Sequence, residues 1–314
     1  MAKYKIILNP IAGRGGAVKD APEIERLMSE YGLDFDIVFT EKRGQAIGMA
    51  KEAALAGYDV VVAAGGDGTA NEVLNGLMGA KQDGAHDAAL GVIPIGTGND
   101  FAYGVNIPTG VEDGCETLAG DHRHIIDVGR VVGGDFPEGR YFGNCIGVGF
   151  DAVGGFVAAK LKYMKGLLNY LVAVILTIFV YFKAPTLEIE YDGKKIVMPS
   201  LMCSIMNGTR LGGGFYMAPD AINDDGKFDL CIATNPSRLR ILTLVPYFFN
   251  GTQASQKEIQ IVRGSRINVT AVEGVLPAHV DGETLCEEGH RVEVELLPRQ
   301  LEVVCKTPEE TSKA

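Results

Sequence analysis

Three glycine-rich segments near the start of the chain each follow an apolar run that is typical of a buried strand. They are residues 9–16 (NPIAGRGG), 65–69 (GGDGT) and 96–100 (GTGND). Helical periodicity lies between them, over Ala21–Tyr31 and Gln45–Ala56. Wholly apolar strands that alternate with helices predict a parallel sheet covered by helices. The first part of the chain is therefore predicted to be an α/β domain.

The pattern changes after about residue 130. The dipeptide Asp192-Gly193 separates two alternating runs, which is a strong hairpin signal. The strands predicted here are Leu187–Tyr191, Lys194–Val197, Leu201–Met206, Phe228–Ala233, Glu258–Val262, Arg266–Val269, Arg291–Leu296 and Gln300–Val304, with helices near Ala152–Tyr163 and Leu167–Phe182. We expect an α/β domain over residues 1–128 and a β-rich, antiparallel, sandwich-like domain over 129–296, with residues 297–314 packing back on the first domain.

Charge and cysteine content exclude several classes of protein. Lys and Arg total 29 against 40 Asp and Glu, so the net charge is −11, which argues against binding nucleic acid through a broad basic face. The six cysteines include no C-x-x-C pair, which excludes a zinc ribbon and favours buried, reduced thiols. The N-terminal residues lack the pattern of a signal peptide, so the predicted location is cytoplasmic.

Glycines at the carboxyl ends of parallel strands let backbone N–H groups approach a phosphate. Glycine also serves plain turns, but three such loops at successive strand ends favour a phosphate site. The loops lack the P-loop lysine and the spacing of the dinucleotide fingerprint. Asp67 would repel phosphates unless Mg²⁺ lies between them. These residues indicate a nucleoside triphosphate with Mg²⁺, and hence phosphoryl transfer.

Taken together, the three motifs resemble a known family. NPIAG over residues 9–13, GGDGTANE over 65–72 and GTGNDFA over 96–102 are similar to the diacylglycerol kinase catalytic family, which includes bacterial soluble lipid kinases and the related sphingosine kinases. GGDGT alone also occurs in NAD kinases, whereas GTGNDFA selects the lipid-kinase branch. The resemblance implies a nucleotide-binding α/β domain and a β-rich domain, with the nucleotide in the cleft between them.

The same resemblance implies a set of site residues. Asp67 would serve the catalytic Mg²⁺, and Asp127 matches an acidic position near the active site. This chain departs from the family at two positions: Tyr103 stands where the family often has arginine, and Gln45 where it often has histidine. Because Tyr103 replaces the arginine, the arginine–aspartate contact of the family is not expected to form in the same way here. The residues expected to contact ATP are Asn9, Pro10, Ile11, Ala12, Gly13, Thr40, Gly65, Gly66, Asp67, Gly68, Thr69, Ala70, Asn71 and Thr97.

Glu283 directly follows Asp281 and Gly282, and two interpretations are open. The segment could be a turn with two solvated carboxylates. Alternatively, Glu283 could be a general base that accepts the proton of an acceptor hydroxyl as it attacks the γ-phosphate. The resemblance favours the base, because family members carry D-G-E at that position.

Two further segments of the second domain have alternative interpretations. Residues 212–226 form an oxygen-rich loop that could simply turn; the resemblance implies a structural Mg²⁺ held by the Asp220 side chain and the carbonyls of Met217 and Ile222. Leu167–Phe182 is an apolar run flanked by lysines, shorter than a membrane span. It is either a core helix or a surface that meets the lipid.

The sequence therefore predicts an ATP- and Mg²⁺-dependent lipid kinase that phosphorylates the hydroxyl of diacylglycerol or a related lipid alcohol and touches the membrane peripherally. One alternative is an NAD kinase, which shares GGDGT. The other is a catalytically silent lipid- or nucleotide-binding regulator, against which Asp67, Asp127 and Glu283 argue. The identity of the lipid and the choice between a monomer and a homodimer remain open.

Overall fold

The computed structural model describes residues 2–161, 172–181 and 183–307. The chain divides into two compact units. The first comprises Met1–Asp127 together with Arg299–Ala314, and the second comprises Val128–Pro298. Helices and strands are numbered below in chain order.

The first unit is built on a parallel sheet with the strand order β4-β3-β1-β2. The strands are β1 (Lys3–Leu8), β2 (Asp34–Phe39), β3 (Val60–Gly65) and β4 (Ala89–Pro94), and the helices are α1 (Ala12–Gly15), α2 (Ala17–Glu30), α3 (Gln45–Leu55), α4 (Asp67–Gln82), α5 (Asp100–Gly104) and α6 (Val111–Gly120). β3 and β4 are buried over their whole length, as strands of a sheet covered on both faces are. The predicted parallel α/β domain is confirmed.

Close packing of α3 on α4 depends on Gly76. A β-carbon built on Gly76 would meet the backbone oxygen of Ile47 and would lie 2.6 Å from the Ala50 β-carbon. A β-carbon on Gly79, one turn further along α4, would meet only the Lys51 side chain, at 3.7 Å. The two glycines therefore differ in packing although they share one helix.

We expect Gly76→Ala to lower the melting temperature, because overpacking against backbone costs about 1–3 kcal/mol. Gly79→Ala is the matched control and is expected to preserve or raise stability, since alanine in a helix is favoured over glycine by about 1 kcal/mol. Thermal and denaturant unfolding of both variants measure the difference. Equal stability of the two variants would show that the helices do not approach as closely as described.

The second unit is a sandwich of antiparallel sheets. Its strands are β5 (Arg123–Gly133) and β17 (Arg291–Val304), each shared with the first unit, together with β6 (Phe136–Phe142), β7 (Cys145–Gly149), β8 (Thr186–Tyr191), β9 (Lys194–Met206), β10 (Arg210–Leu211), β11 (Phe215–Tyr216), β12 (Phe228–Thr234), β13 (Ile259–Gly264), β14 (Arg266–Glu273), β15 (Leu276–Val280) and β16 (Glu283–Gly289). The helices are α7 (Phe150–Lys160), α8 (Arg238–Phe249) and the 3₁₀ turn Gln253–Ser255; residues 172–176 are α-helical and continue into a π-helical turn, Thr177–Tyr181.

The core of the sandwich is formed by inward-facing side chains of both sheets. Leu187, Ile189 and Tyr191 of β8 alternate inward and pack in one cluster with Ile146 of β7 and Leu230 of β12. Alternation of buried and partly exposed residues is the signature of a sheet with one face on a core. The predicted antiparallel, β-rich second domain is confirmed.

Two pairs of strands that were predicted as separate are each one continuous strand in the structure. The runs predicted as Lys194–Val197 and Leu201–Met206 form the single strand β9, which pairs with β8 up to Pro199 and with β7 and β12 beyond it. The change of partner at Pro199 explains why proline is tolerated there. Likewise Arg291–Leu296 and Gln300–Val304 are joined in β17, which pairs with β14 before Pro298 and with β4 after it.

The cysteines and the apolar run were also predicted from the sequence. All six cysteines are buried and free, as predicted. Of Leu167–Phe182, residues 167–171 and 182 lie outside the described residues. Within residues 2–161, 172–181 and 183–307, no helix combines the length and the hydropathy that a bilayer span requires.

Candidate active site

The three glycine loops of the first unit meet at the carboxyl ends of β1, β3 and β4. A β-carbon on Gly13 would lie 3.0 Å from the Ile95 carbonyl oxygen, and one on Gly66 would lie 3.1 Å from the Gly96 α-carbon. Larger residues at Gly13 and Gly66 would therefore push the loops apart. The predicted convergence of the loops at one edge of the sheet is present.

Side chains of the first two loops are also linked. Asn9 Nδ2 donates to Thr69 Oγ1 over 3.1 Å, and Asn9 Oδ1 accepts from the Ile11 amide over 3.2 Å. Thr69 is buried in the first turn of α4, whereas Ile11 is 76% exposed. Asn9 thus fixes the first loop against α4, while the loop's outer surface stays open to solvent.

The first turn of α4 starts directly at the GGDGT motif. Gly66, which precedes the helix, has an extended backbone, and its carbonyl oxygen accepts from the amides of Thr69 and Ala70. The first amides of a helix lie at the positive end of its dipole. A 16-residue helix that begins in a glycine loop is suited to receive an anion.

Asp67, which is half-buried, and Asp100, which is buried, form a pair of carboxylates between the second and third loops. A β-carbon on Gly98 would lie 2.9 Å from Asp67 Oδ2 and 3.3 Å from Asp100 Oδ2, so both carboxylates face the same glycine. The Phe101 amide donates to Asp67 Oδ1 over 3.0 Å. Burial, and then the charge of Asp100, raises the pKa of Asp67 above its usual range. Two carboxylates held together in this way favour a cation beside them.

Sequence reasoning missed Asp100 as the partner of Asp67. The motif GTGND was read for its glycines, and only folding brings the end of β4 beside the end of β3. A second signal comes from Asn99, whose side-chain oxygen Oδ1 is buried and has no hydrogen-bond partner within the described part of the chain. The third loop therefore contains a buried acceptor, Asn99 Oδ1, without a donor among the described residues.

Glu72 organises the neighbouring loop that carries Thr40. Its carboxylate accepts from the amides of Gly44 (2.8 Å) and Ala46 (3.1 Å), which caps α3. Thr40 is buried, and its amide donates to the Leu8 carbonyl. The sequence interpretation gave Glu72 no role, although it lies three residues after Thr69 in the same motif.

The other nucleotide residues named from the sequence lie in these three loops or at the start of α4. Thr97 is exposed in the third loop, while Ala70 and Asn71 are buried in α4. Asp127 is fully buried, and its Oδ1 accepts from the Arg299 amide over 2.7 Å. That hydrogen bond holds the start of the C-terminal segment of the first unit, so Asp127 has a structural role.

The segment carrying Glu283 lies in the second unit, in a tight turn between β15 and β16. Asp281 and Gly282 have φ values of 45° and 81°, as a type I′ turn requires. Both oxygens of the Asp281 carboxylate accept backbone amides, from Gly143, Asn144 and Cys145, at 2.8–3.0 Å. The turn is therefore rigidly held, and the interpretation as a solvated Asp281 carboxylate is wrong.

Glu283 itself pairs with an arginine that the sequence did not single out. Arg140 Nη2 lies 3.1 Å from Glu283 Oε2, and both side chains are largely buried. The guanidinium also lies over the Phe136 ring, 5.3 Å from its centroid. Arg140 therefore orients one carboxylate oxygen of Glu283.

The loop proposed for a structural cation has one of its three ligands already in a hydrogen bond. The Met217 carbonyl accepts from Gln253 Nε2 over 2.9 Å, whereas Asp220 and Ile222 are exposed. Nearby, Asp229 Oδ2 is buried without a hydrogen-bond partner among the residues described. Burial raises the pKa of Asp229, the charge of Arg263 opposes this rise, and the charges of Asp225 and Asp220 add to it.

Asp151 is a further buried carboxylate of the second unit. Ser204 Oγ donates to its Oδ2 over 2.5 Å. The carboxylate occupies space left by Gly147, where a β-carbon would lie 2.6 Å from the same oxygen. Burial raises the pKa of Asp151 to about 7.

Because the folded-state pKa of Asp151 exceeds its ordinary value, its contribution to stability is largest at low pH and is lost as pH rises through about 7. We expect the melting temperature of the wild type to fall relative to that of Asp151→Asn between pH 5 and pH 8. Other titrating groups are common to both proteins and cancel in the difference. Parallel pH profiles would contradict the raised pKa.

Comparison with known proteins identifies both units. Residues 3–131 match the diacylglycerol kinase catalytic domain, and residues 144–305 match the YegS C-terminal NAD kinase beta sandwich-like domain. The diacylglycerol kinase of Bacillus subtilis (strain 168) is 33% identical over 286 residues, which cover 90% of each protein. That of Mycobacterium tuberculosis (strain H37Rv) is 27% identical over 306 residues, 97% of this chain and 95% of the relative.

Solved structures share the fold. A diacylglycerol kinase from Bacillus anthracis strain Sterne superposes with a TM-score of 0.72 at 22% identity, covering 98% of this chain and 97% of that one. An NAD kinase from Archaeoglobus fulgidus gives a TM-score of 0.53 at 14% identity, covering 99% and 96%. Since the matched domains span most of the chain and one relative exceeds 30% identity, the protein belongs to the diacylglycerol kinase catalytic-domain family.

Proposed function

We propose that this protein is an ATP- and Mg²⁺-dependent lipid kinase, which transfers the γ-phosphate of ATP to the hydroxyl of diacylglycerol or a related lipid alcohol. The observation that carries the proposal is the Asp67–Asp100 pair, set among three glycine loops that converge at one edge of a parallel sheet. Backbone amides there suit phosphates, and the two carboxylates suit a cation that bridges to them.

The residues present fit Mg²⁺ in particular. Within the described ranges no cluster of three or more His, Cys, Asp or Glu could enclose a metal. Mg²⁺ is usually held by one or two carboxylates together with substrate phosphates and water. Asp67 and Asp100 would hold it, and the ion would neutralise charge on the transferring phosphoryl group. Asn9–Gly13, Thr40, Gly65–Asn71 and Thr97 would bind the nucleotide.

Glu283 is proposed as the general base. Its carboxylate would accept the proton of the lipid hydroxyl while the oxygen attacks the γ-phosphorus. Arg140 pairs with one oxygen of Glu283, and the Asp281 turn fixes the backbone, so the carboxylate is oriented before substrate arrives. Orientation of this kind is what efficient proton transfer needs. We also propose that Asp127 is an acidic residue of the active site.

A second, structural Mg²⁺ is proposed at Met217, Asp220 and Ile222. The observation in favour is the neighbouring buried oxygen of Asp229, which has no hydrogen-bond partner in the described chain. Arg263 already pairs with Asp225 and Asp229, and a bound cation would offset the negative charge that remains at Asp220. The remaining proposed partners are the lipid and the membrane surface that contains it. The protein would reach this surface from the cytoplasm, and no nucleic acid takes part.

NAD kinase is the second candidate, because an NAD kinase shares the fold and the GGDGT motif. The two enzymes differ in the acceptor, so the acceptor decides between them. The purified protein would be offered γ-labelled ATP and Mg²⁺ with diacylglycerol, sphingosine or NAD in separate reactions. We expect label in a phospholipid product. Label in NADP would establish the alternative, and no transfer to any acceptor would favour a silent regulator.

A further inference from the structure

Two helical segments of the second unit pack side by side. Val174 and Ile178 of the first segment lie in one apolar cluster with Ile241, Leu244 and Phe248 of α8. This contact buries one face of each segment. The chain therefore uses only part of the apolar surface of residues 172–181 to build its core.

The other face of the first segment is exposed. Ile175 and Phe179 are 48% and 43% exposed and are four residues apart, so they lie on one side of the helix. In the first turn of α8, Leu239 is 72% exposed. The Arg238 guanidinium donates to the Phe179 carbonyl over 3.4 Å, which brings the two exposed regions together.

The sequence of this region lacks acidic residues. The chain carries a net charge of −11, yet neither residues 172–185 nor α8 contain a single Asp or Glu. Arg238 and Lys183 are exposed there, while Arg240 is paired with Glu258 over 2.9 Å. Exposed apolar side chains beside exposed cations match the interface of a bilayer with anionic lipids.

We propose that Ile175, Phe179, Arg238, Leu239 and Lys183 form a docking surface for an anionic lipid bilayer. Ile175, Phe179 and Leu239 would enter the boundary between headgroups and acyl chains, and Arg238 and Lys183 would meet lipid phosphates. The inference rests on the proposed function, since an enzyme acting on a membrane lipid must reach it. The sequence analysis named only Leu167–Phe182 as a candidate lipid-facing surface, and the docking surface proposed here also includes residues of α8.

Vesicle flotation tests the docking surface directly. The wild type is expected to bind phosphatidylcholine vesicles containing phosphatidylglycerol, to bind pure phosphatidylcholine weakly, and to be released by salt. Phe179→Ser with Leu239→Ser should weaken binding at least about tenfold, because each exposed apolar side chain contributes to insertion. Val18→Ser with Leu55→Ser removes comparably exposed apolar side chains from the first unit and should leave binding unchanged.

Activity measured on short-chain diacylglycerol dispersed without vesicles separates this inference from the proposed function. The double variant Phe179→Ser with Leu239→Ser, called the docking variant here, should keep wild-type activity on this dispersed substrate. If instead the wild type phosphorylates no lipid, the proposed function is wrong. Equal vesicle binding by the docking variant and the wild type would overturn the inference. So would a wild type that ignores anionic vesicles, or a dimer in solution that the docking variant dissociates, because the surface would then bind a second copy.

Discussion

Replacing Asp67 by asparagine is expected to abolish measurable phosphoryl transfer while making the metal-free protein more stable. In the absence of a cation, burial and the charge of Asp100 disfavour an ionised Asp67. Asparagine removes that charge but can still accept from the Phe101 amide through its oxygen. Without the carboxylate, the pair loses its affinity for Mg²⁺, so the metal no longer links the protein to the nucleotide.

Thermal shift assays measure both parts of this prediction. The variant should melt at a higher temperature than the wild type in chelator, and should lose most of the stabilisation that Mg²⁺–ATP gives the wild type. Glu25→Gln, on the exposed side of α2, makes the same change of charge in the same unit and should alter neither quantity. Near-normal turnover by Asp67→Asn would refute the metal role of Asp67.

Glu283→Gln is expected to lower turnover by about 10²–10⁴, the usual effect of losing a general base. Glutamine keeps the size of the side chain and an oxygen that can accept from Arg140, so the fold of the turn should survive. ATP affinity should also survive, because the glycine loops belong to the other unit. Steady-state kinetics and a nucleotide-binding titration on the same preparation test both statements.

Glu287→Gln provides the control for this variant, since Glu287 is an exposed carboxylate of the same strand, β16. It should behave as the wild type does. Turnover by Glu283→Gln close to that of the wild type would contradict the base role. Loss of both turnover and ATP affinity would instead make Glu283 a structural residue of the turn.

The parts of the fold that the sequence predicts best are those with local periodicity. β1, β3 and β4 are short apolar runs that lead into the three glycine loops, and the strands predicted there, Tyr4–Leu8, Asp59–Ala64 and Leu90–Ile95, lie within one residue of the observed bounds. β7 was missed because Gly147 and Gly149 weaken its local signal. Its position depends on pairing with β9 and β15, which are distant in sequence.

The candidate site likewise contains residues that one local motif predicts and residues that only long-range contacts bring together. Asp67 could be identified from the GGDGT motif alone, because a carboxylate in a phosphate-binding glycine loop would repel the phosphates unless a cation lies between them. Asp100, Arg140 and the anchoring role of Asp281 depend on contacts between segments far apart in the chain. Such contacts arise from the register of strands, which a single sequence does not specify.

The proposed activity depends above all on the Asp67–Asp100 pair, which would bind the metal that accompanies the nucleotide. The most direct test is a crystal structure with Mn²⁺ and a non-hydrolysable ATP analogue, in which anomalous scattering locates the ion. We expect the strongest peak beside the carboxylates of Asp67 and Asp100, with the phosphates against the Gly65–Asn71 segment. An ordered nucleotide whose metal lies away from both carboxylates would contradict the metal role of Asp67 and Asp100.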